Sequence, residues 1–192
     1  MSLRSFIANK LRTWPFYIST CYRGTGGQIK HIAEDWSEIQ LDLPLSRRTC
    51  NYVGTIFGGS IYSAVDPVYM LMLIHRLGKE FVVWDKAAAI QFKKPGRETL
   101  HAHFVVTDEE VAGIRSALET QRSVDRTYMI ELKDSSGTIC ATVEKIIYIR
   151  RQRTEATGAG RLSTLGEITA TSQIPPRCSA FRRRPCRWRP WA

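Results

Sequence analysis

The stretch from Gly58 to Leu77 constrains the fold of this chain more than any other. Apolar residues fall on almost every side of a helix drawn through it, and a helix with so little polar surface must be buried on more than one side. The apolar members are Ile61, Tyr62, Ala64, Val65, Val68, Tyr69, Leu71, Met72, Leu73, Ile74 and Leu77. The longest unbroken run, Val68 to Ile74, is far shorter than the roughly 20 residues that cross a bilayer. The sequence therefore predicts a core helix and no membrane span.

Strand-like patterns precede and follow this helix. Residues 39–45 alternate between apolar and polar side chains, which indicates a half-buried strand, and we expect residues 28–45 to form one long strand. After the helix, the same alternation recurs in residues 81–92, 100–106, 124–132 and 139–149. The last two segments flank the turn sequence Asp134-Ser135-Ser136-Gly137 and are predicted to form a hairpin.

The order of these elements predicts the fold class. Thr107 and Glu110 have the spacing of a capping box, which opens a short helix between the second and third of the later strands. Antiparallel strands with one apolar face need a cover, and the central helix is the only element able to fill a concave sheet. We therefore predict an α+β fold over residues 28–153, a curved antiparallel sheet wrapped around a long central helix.

The first 27 residues have a basic, helix-like pattern of their own. No acidic residue precedes Glu34, and apolar residues between Leu3 and Trp14 recur at helical spacing. We expect an N-terminal amphipathic helix that packs on its own domain or on a second copy. Attachment to a membrane surface and an organellar address are the alternatives. The segment from Cys21 to Gln28, which contains three glycines, is expected to be a flexible turn.

The composition changes sharply after Arg153. Residues 154–192 contain seven Arg against two Glu, so this segment carries half of the chain's net charge of +10. It has no lysine, and its prolines and small polar residues follow no period, which is typical of a disordered tail. Clustered Arg beside Trp188 and Trp191 could also grip phosphates and stack on bases. We expect no specific nucleic-acid partner, and we expect deletion of this tail to be silent.

The overall composition indicates the kind of protein and the cellular compartment to expect. Hydrophobic residues make up 43% and charged residues 24% of the chain, which is usual for a folded soluble protein. The five cysteines are an odd number without CxxC spacing, so a reducing cytoplasm is expected. His101 and His103 share a strand face but lack further ligands at a suitable spacing. We expect a solvated strand face there, with no metal site and no cofactor.

Gly58 and Gly59 stand where the loop meets the central helix. The first N–H groups of a helix have no internal partner, and the helix dipole favours negative charge at that end. Two glycines leave those N–H groups unobstructed by side chains, which is suitable geometry for binding an anion. In a thioester reaction the same donors would stabilise the oxyanion that develops on the carbonyl.

Asp66 is a carboxylate within this otherwise apolar helix, where an ionised group is costly unless it is paired or used. One interpretation makes it a general base. The other makes it the N-cap of a new helical segment, because Pro67 follows it and Asp before Pro is a favoured way to start a helix. The sequence leaves both interpretations open.

The loop and helix together resemble a known motif. The pattern Asn-x-x-Gly-x-x-His-Gly-Gly followed by Asp is the signature of the PaaI-like acyl-CoA thioesterases of the hot-dog superfamily. Its positions correspond here to Asn51, Gly54, Gly58, Gly59 and Asp66. The segment from residue 92 to residue 96 is also similar to the strand end and turn of these proteins.

This resemblance implies a homodimer, or a dimer of dimers, with the hot-dog fold and activity on acyl-CoA or acyl-carrier thioesters. It implies that Asn51 positions the thioester or water and that the Gly58 N–H is an oxyanion donor. It also implies that Asp66 reaches across the dimer interface as base or nucleophile. Gly59 and Phe57 would line the substrate site.

The sequence departs from the motif at one position, because Phe57 replaces the histidine. Phe cannot form the imidazole's hydrogen bonds, although the backbone donor after it remains. The leading hypothesis is a thioester hydrolase, and the alternative is a non-catalytic acyl-ligand binding module of the same fold. Five basic residues flank the predicted pocket and are expected either to bind the phosphates of coenzyme A or to be plain surface charge. They are Arg47, Arg48, Lys93, Lys94 and Arg97.

Overall fold

The described residues form one sheet of six antiparallel strands. A computed structural model describes Thr13 and residues 19–152. In chain order its elements are α1 (Thr20–Thr25), β1 (Gln28–Ile32), β2 (Glu38–Leu43), α2 (Gly58–Val65), α3 (Val68–Leu77), β3 (Phe81–Phe92), β4 (Leu100–Val105), α4 (Asp108–Thr120), β5 (Ser123–Lys133) and β6 (Ile139–Arg151). The strands lie in the order β1-β2-β4-β5-β6-β3. The predicted α+β architecture is confirmed.

The core lies between one face of the sheet and the central helices α2 and α3. In β4, Leu100, Ala102 and Phe104 are buried and alternate with exposed residues, as the period of two predicts. Val68 and Met72 of α3 are completely buried in the same core. The helices therefore fill the concave side of the sheet. The β5–β6 hairpin, which pairs antiparallel along most of its length, forms as predicted.

The central helix is interrupted once. The segment α2 ends at Val65 and α3 begins at Val68, with Asp66 and Pro67 between them. Both intervening residues keep right-handed helical backbone angles, with φ and ψ of −50° and −53° at Asp66 and of −82° and −8° at Pro67. Proline lacks an N–H group, so one helical hydrogen bond is missing at this point.

The prediction of one strand over residues 28–45 is wrong. A turn separates β1 from β2, and the two strands pair antiparallel. Asp35 makes this turn, because its carboxylate accepts hydrogen bonds from the N–H (3.1 Å) and the hydroxyl (2.6 Å) of Ser37. Trp36 adopts a positive φ of 62° at the same point. The apolar alternation that suggested a strand begins only after this turn.

The prediction of a flexible turn from Cys21 to Gln28 is also wrong, because α1 occupies most of it. Ser19 caps the helix, and Gly26, at φ 83°, ends it in the left-handed conformation. The Tyr22 hydroxyl donates to the carbonyl of Ala64 (3.0 Å), so tertiary contact stabilises a helix of only six residues.

The remaining predictions for the termini fall mostly outside the described residues. Of the expected amphipathic helix between Leu3 and Trp14, only Thr13 is described, and it is helical. The chain divides into the units Met1–Thr154 and Glu155–Ala192, and every described residue belongs to the first. The predicted disordered tail lies wholly outside the described part. Within that part, no helix is both long and apolar enough to span a membrane.

Candidate functional site

The start of α2 presents unpaired backbone donors. The first helical hydrogen bond of α2 runs from the Ile61 N–H to the Phe57 carbonyl (3.1 Å). Among the described residues, no acceptor faces the N–H groups of Gly58, Gly59 and Ser60, and Phe57 offers no capping side chain. Adjacent unpaired amides at a helix N-terminus attract a partial or full negative charge.

Two aromatic rings lie against the glycine pair. A Cβ added at Gly58 would lie 2.8 Å from the ring of Phe92, and one added at Gly59 would overlap the ring of Phe57. Both rings remain more than half exposed, at 58% for Phe92 and 56% for Phe57. The glycines are therefore needed for close ring packing, and the rings form apolar walls beside the free amides.

Asn51 shapes the loop that leads into α2. Its side-chain oxygen accepts from the N–H groups of Val53 (3.0 Å) and Thr55 (3.1 Å), and its amide nitrogen donates to the Thr55 hydroxyl (2.9 Å). Gly54 completes the turn at φ 79°, a conformation that glycine adopts without strain. Both ends of the Asn51 side chain are thus engaged within its own loop.

The predicted basic residues lie on segments joined to this loop. The Ile56 N–H donates to the Gly96 carbonyl (2.8 Å), and the Phe57 N–H donates to the Thr49 carbonyl (2.7 Å). These bonds join the loop to the segments that carry the five basic side chains. All five are exposed, and within the described part of the chain none forms an ion pair. They are Arg47, Arg48, Lys93, Lys94 and Arg97.

Asp66, at the other end of α2, is paired with a buried lysine. Its Oδ1 accepts a hydrogen bond from Lys145 Nζ at 2.7 Å, and its side chain is 41% exposed. Lys145, on β6, is 1% exposed, and its Nζ lies 3.1 Å from Oδ2 of Asp85 on β3. Neither α2 nor α3 has a side-chain cap at its N-terminus. The Asp66 side chain therefore bonds a lysine instead of starting a new helical segment.

Burial is the main cause of the raised pKa values of two other groups around this lysine. Burial raises the pKa of Asp85, and the nearby ammonium of Lys145 partly opposes that rise. Asp85 Oδ1 is buried and has no hydrogen-bond partner among the described residues. Burial and the hydrogen bond to Asp66 raise the pKa of Tyr62 to about 12. One buried cation thus lies between two partly exposed carboxylates.

Asp66 also lines a cavity of about 570 Å³. Its wall is mainly apolar and includes Tyr22, Trp36, Leu71 and His75. Gly58 and Gly59 do not line it. Asp66 follows Gly58 by eight residues, which is about 12 Å along a helix that rises 1.5 Å per residue. Within one protomer the amides and the carboxylate therefore cannot act on the same atom.

His101 and His103, for which the sequence predicts a solvated strand face, lie away from this site on the outer face of the sheet. His101 Nδ1 lies 2.6 Å from Asp42, and His103 Nε2 lies 2.9 Å from Glu38. Within the described part of the chain, no three His, Cys, Asp or Glu side chains are placed to hold a metal ion. Each histidine thus has a carboxylate neighbour on an exposed strand face.

Sequence reasoning missed Lys145 and Asp85. A signal for both was present, because each lies in phase with the inward-facing residues of its strand. Lys145 alternates with Val143 and Ile147, which are buried, and Asp85 follows Val83 at the same spacing. A charged residue on the inward face of a strand is rarely tolerated without a partner.

Comparison with known proteins places the chain in a family and identifies its fold. The family model described as "Domain of unknown function (DUF4442)" matches residues 8–149. No curated protein matches the sequence.

Three solved structures are similar over most of their length. A probable thioesterase of unknown function from Pseudomonas aeruginosa has a TM-score of 0.64 at 14% identity, covering 79% of this chain and 99% of that one. A thioesterase from Haemophilus influenzae has a TM-score of 0.56 at 15% identity, covering 81% and 95%. The PaaI protein of the E. coli phenylacetic acid degradation operon has a TM-score of 0.52 at 16% identity, covering 78% and 96%.

At these identities the likeness establishes the fold, and the activity has to be argued from the residues of this chain. The neighbours are thioesterase-like proteins of the hot-dog fold, as the sequence motif suggested. The family model covers well over half of the chain. This protein therefore belongs to the DUF4442 family and has the hot-dog fold.

Proposed function

We propose that this protein is a homodimeric hydrolase of acyl thioesters carried by coenzyme A or by a carrier protein. The observation that carries the proposal is the set of N–H groups at Gly58, Gly59 and Ser60, which have no acceptor within the described part of the chain. They would hold the carbonyl oxygen of the thioester, beside the apolar walls formed by Phe57 and Phe92. Asp66 of the partner subunit would supply the carboxylate.

The chemistry requires little from the protein. Water attacks the carbonyl carbon while Asp66 takes its proton, and the carbonyl oxygen gains negative charge that the amides stabilise. The C–S bond then breaks, and the leaving thiolate receives the proton from Asp66. The products are a carboxylic acid and a free thiol. In this scheme Asn51 acts through its loop, by fixing the position of the Gly58 amide.

Two features support a dimer. The first is the separation of about 12 Å between Gly58 and Asp66 along one helix, which leaves each protomer with half a site. The second is the edge position of β3, whose one strand partner among the described residues is β6. Its outer part exposes Trp84 and the alanine run 87–89. A long apolar edge of this kind readily pairs with another strand.

The symmetry of such a dimer would complete the site. Two β3 strands related by a two-fold axis run antiparallel, so the same patch meets itself. The Phe92 end of one strand, which contacts Gly58, then lies toward the Asp85 end of the other. Asp85 is joined through Lys145 to Asp66. The pairing thus brings the amides of one subunit toward the carboxylate of its partner.

The exposed basic residues suggest that coenzyme A is the thiol carrier. We expect Lys93→Glu to raise KM for an acyl-CoA about three- to tenfold, because a phosphate would meet repulsion in place of attraction. KM for the matching acyl-pantetheine, which lacks the nucleotide phosphates, should not change. Lys79→Glu, an exposed lysine beyond the far end of α3, is the control. An equal rise in KM for both substrates would contradict phosphate binding.

A panel of acyl-CoAs of different chain length tests the proposed function directly. Thiol release is measured with a chromogenic thiol reagent, and thermal stability is measured with each compound in parallel. Hydrolysis predicts thiol release that depends on the acyl group and on enzyme concentration. Absence of thiol release across the panel would exclude hydrolysis of acyl-CoA, and the thermal data would then show whether the protein binds these compounds.

One observation favours a second candidate, a non-catalytic acyl-ligand binding module. Phe57 stands at the motif's histidine position, and its ring packs on Gly59. A phenyl ring widens the apolar contact with an acyl or pantetheine chain but cannot orient a thioester by hydrogen bonding. Thermal stabilisation by acyl-CoA without thiol release would identify a binder.

A further inference from the structure

We propose that Lys145 is a positioning residue of this site, whose buried ammonium holds the Asp66 carboxylate in place. This inference rests on the proposed function, because it assigns Asp66 to the reaction. Lys145 itself touches no substrate. It bonds the carboxylate but is not among the residues that line the cavity beside Asp66.

The contacts of Lys145 define a fixed geometry. Its side chain is 1% exposed, and its Nζ bonds Asp66 at 2.7 Å and Asp85 at 3.1 Å. The same ammonium lies 5.7 Å from the centre of the Tyr62 ring. The residue is thus held by groups from α2, from the helix break and from β3. An ammonium with two anchors has little freedom, so the oxygen that it binds is also fixed.

The strand neighbours of Lys145 show that the position suits an apolar residue. The strand register places Lys145 opposite Ala88 of β3 on one side and opposite Tyr128 of β5 on the other. Val143 and Ile147, two residues away on the same strand, are fully buried. Replacing a buried ion pair with apolar residues is often neutral or stabilising. Stability alone therefore does not explain a lysine here.

The charges around Lys145 explain what it does instead. The titratable groups that face it are Asp66, Asp85 and Tyr62, and Tyr128 is its neighbour in the adjacent strand. Without the ammonium, the like charges of Asp66 and Asp85 would repel each other across the space that Nζ now occupies, and the Asp66 side chain would move. A displaced Asp66 carboxylate could not take a proton from the attacking water at the right place. The lysine thus holds the carboxylate in position for reaction.

The first arm of the test is kinetic. Lys145→Met removes the ammonium and keeps an unbranched apolar side chain. We expect kcat for acyl-CoA hydrolysis to fall about ten- to a hundredfold, because the carboxylate is misplaced, with KM changed less than about threefold.

A matched control is available on β5, away from the β3 edge. Lys133 forms an exposed ion pair with Glu131 at 2.7 Å. Lys133→Met removes the same type of group and an ion pair from the sheet, so it controls for both losses. Its kcat and KM should match those of the wild type.

A second variant covers the case in which Lys145→Met does not fold. Lys145→Met combined with Asp85→Asn removes one charge of each sign and leaves only Asp66, which solvent can reach. Its kcat should fall as far as that of the single variant. Full activity of either folded variant would overturn the positioning role.

The second arm needs no catalysis. Burial raises the pKa of Asp85 and the Lys145 ammonium opposes that rise, so loss of the ammonium favours the proton-bound form of Asp85 in the folded state. A carboxyl group whose pKa is raised in the folded state stabilises the fold at low pH and loses that contribution as pH rises through its folded pKa. The urea midpoint of Lys145→Met relative to wild type should therefore fall further between about pH 4 and pH 7. A deficit that is the same at both pH values would overturn the ionic link.

The two arms separate the possible failures. Wild-type protein that releases thiol while Lys145→Met keeps its full rate would retain the proposed function and remove the role of Lys145. Wild-type protein that releases no thiol from any acyl-CoA would remove the proposed function and with it the catalytic purpose of this lysine. The unfolding data then decide whether Lys145 forms an ionic link with its carboxylate partners in the folded protein.

Discussion

Replacing Gly58 with proline is expected to lower kcat for acyl-CoA hydrolysis by about a hundred- to a thousandfold, the usual effect of losing one oxyanion donor. Gly58 is the first residue of α2, a position where proline is favoured and its missing N–H breaks no helical bond. Phe57, the residue before it, has φ −63° and ψ 130°, which a following proline accepts. The helix should therefore survive while the donor is lost.

Gly58→Ala is the matched comparison for this variant. It keeps the N–H and adds the same Cβ, which would lie 2.8 Å from the exposed ring of Phe92 in either case. The ratio of the two rates therefore measures the contribution of the Gly58 N–H group to catalysis, because the displacement of the Phe92 ring is common to both variants. Equal rates for the proline and alanine variants would remove the Gly58 N–H from the mechanism.

Replacing Asp66 with asparagine is expected to lower kcat by about a hundred- to ten-thousandfold, the range for loss of a general base. The amide oxygen can still accept a hydrogen bond from Lys145, so the helix break and its contact to β6 are retained. An amide cannot take a proton from water at neutral pH. Thiol release under substrate saturation measures the change.

Ligand binding separates this loss from a general defect. Thermal stabilisation by a slowly hydrolysed acyl-CoA analogue should be the same in Asp66→Asn and in the wild type, because the carboxylate is assigned to the chemical step. If the variant binds the analogue and also keeps its full rate, Asp66 is not the base. Full rate would further mean that its contact with Lys145 is structural.

The fold could be read from the sequence wherever one pattern dominated. The helix of residues 58–77 is apolar nearly all round, and burial on several sides is the only stable outcome. The β5–β6 hairpin combines clear alternation with a turn sequence. The turn after β1 was missed because it depends on the side chain of Asp35, which bonds Ser37 locally and leaves no periodic trace.

The candidate site could be predicted only in part. The glycine pair was identified because free amides follow from the position of Gly58 and Gly59 at a helix start. The partner of Asp66 could not be identified, since Lys145 lies 79 residues later in the sequence. Only the sheet register, which places β6 beside β3, brings the lysine under the helix break. A contact that depends on non-local strand pairing gives at most one signal in the sequence, which is a charged residue at an inward-facing position of a strand.

The most direct test mixes two inactive subunits. Asp66→Asn and Gly58→Pro dimers are dissociated together and reassociated at equal concentration. If one subunit donates the amides and its partner the carboxylate, each mixed dimer has one intact site, and about a quarter of the wild-type activity should return. If the mixture stays as inactive as its components although mixed dimers form, the site is not shared between subunits.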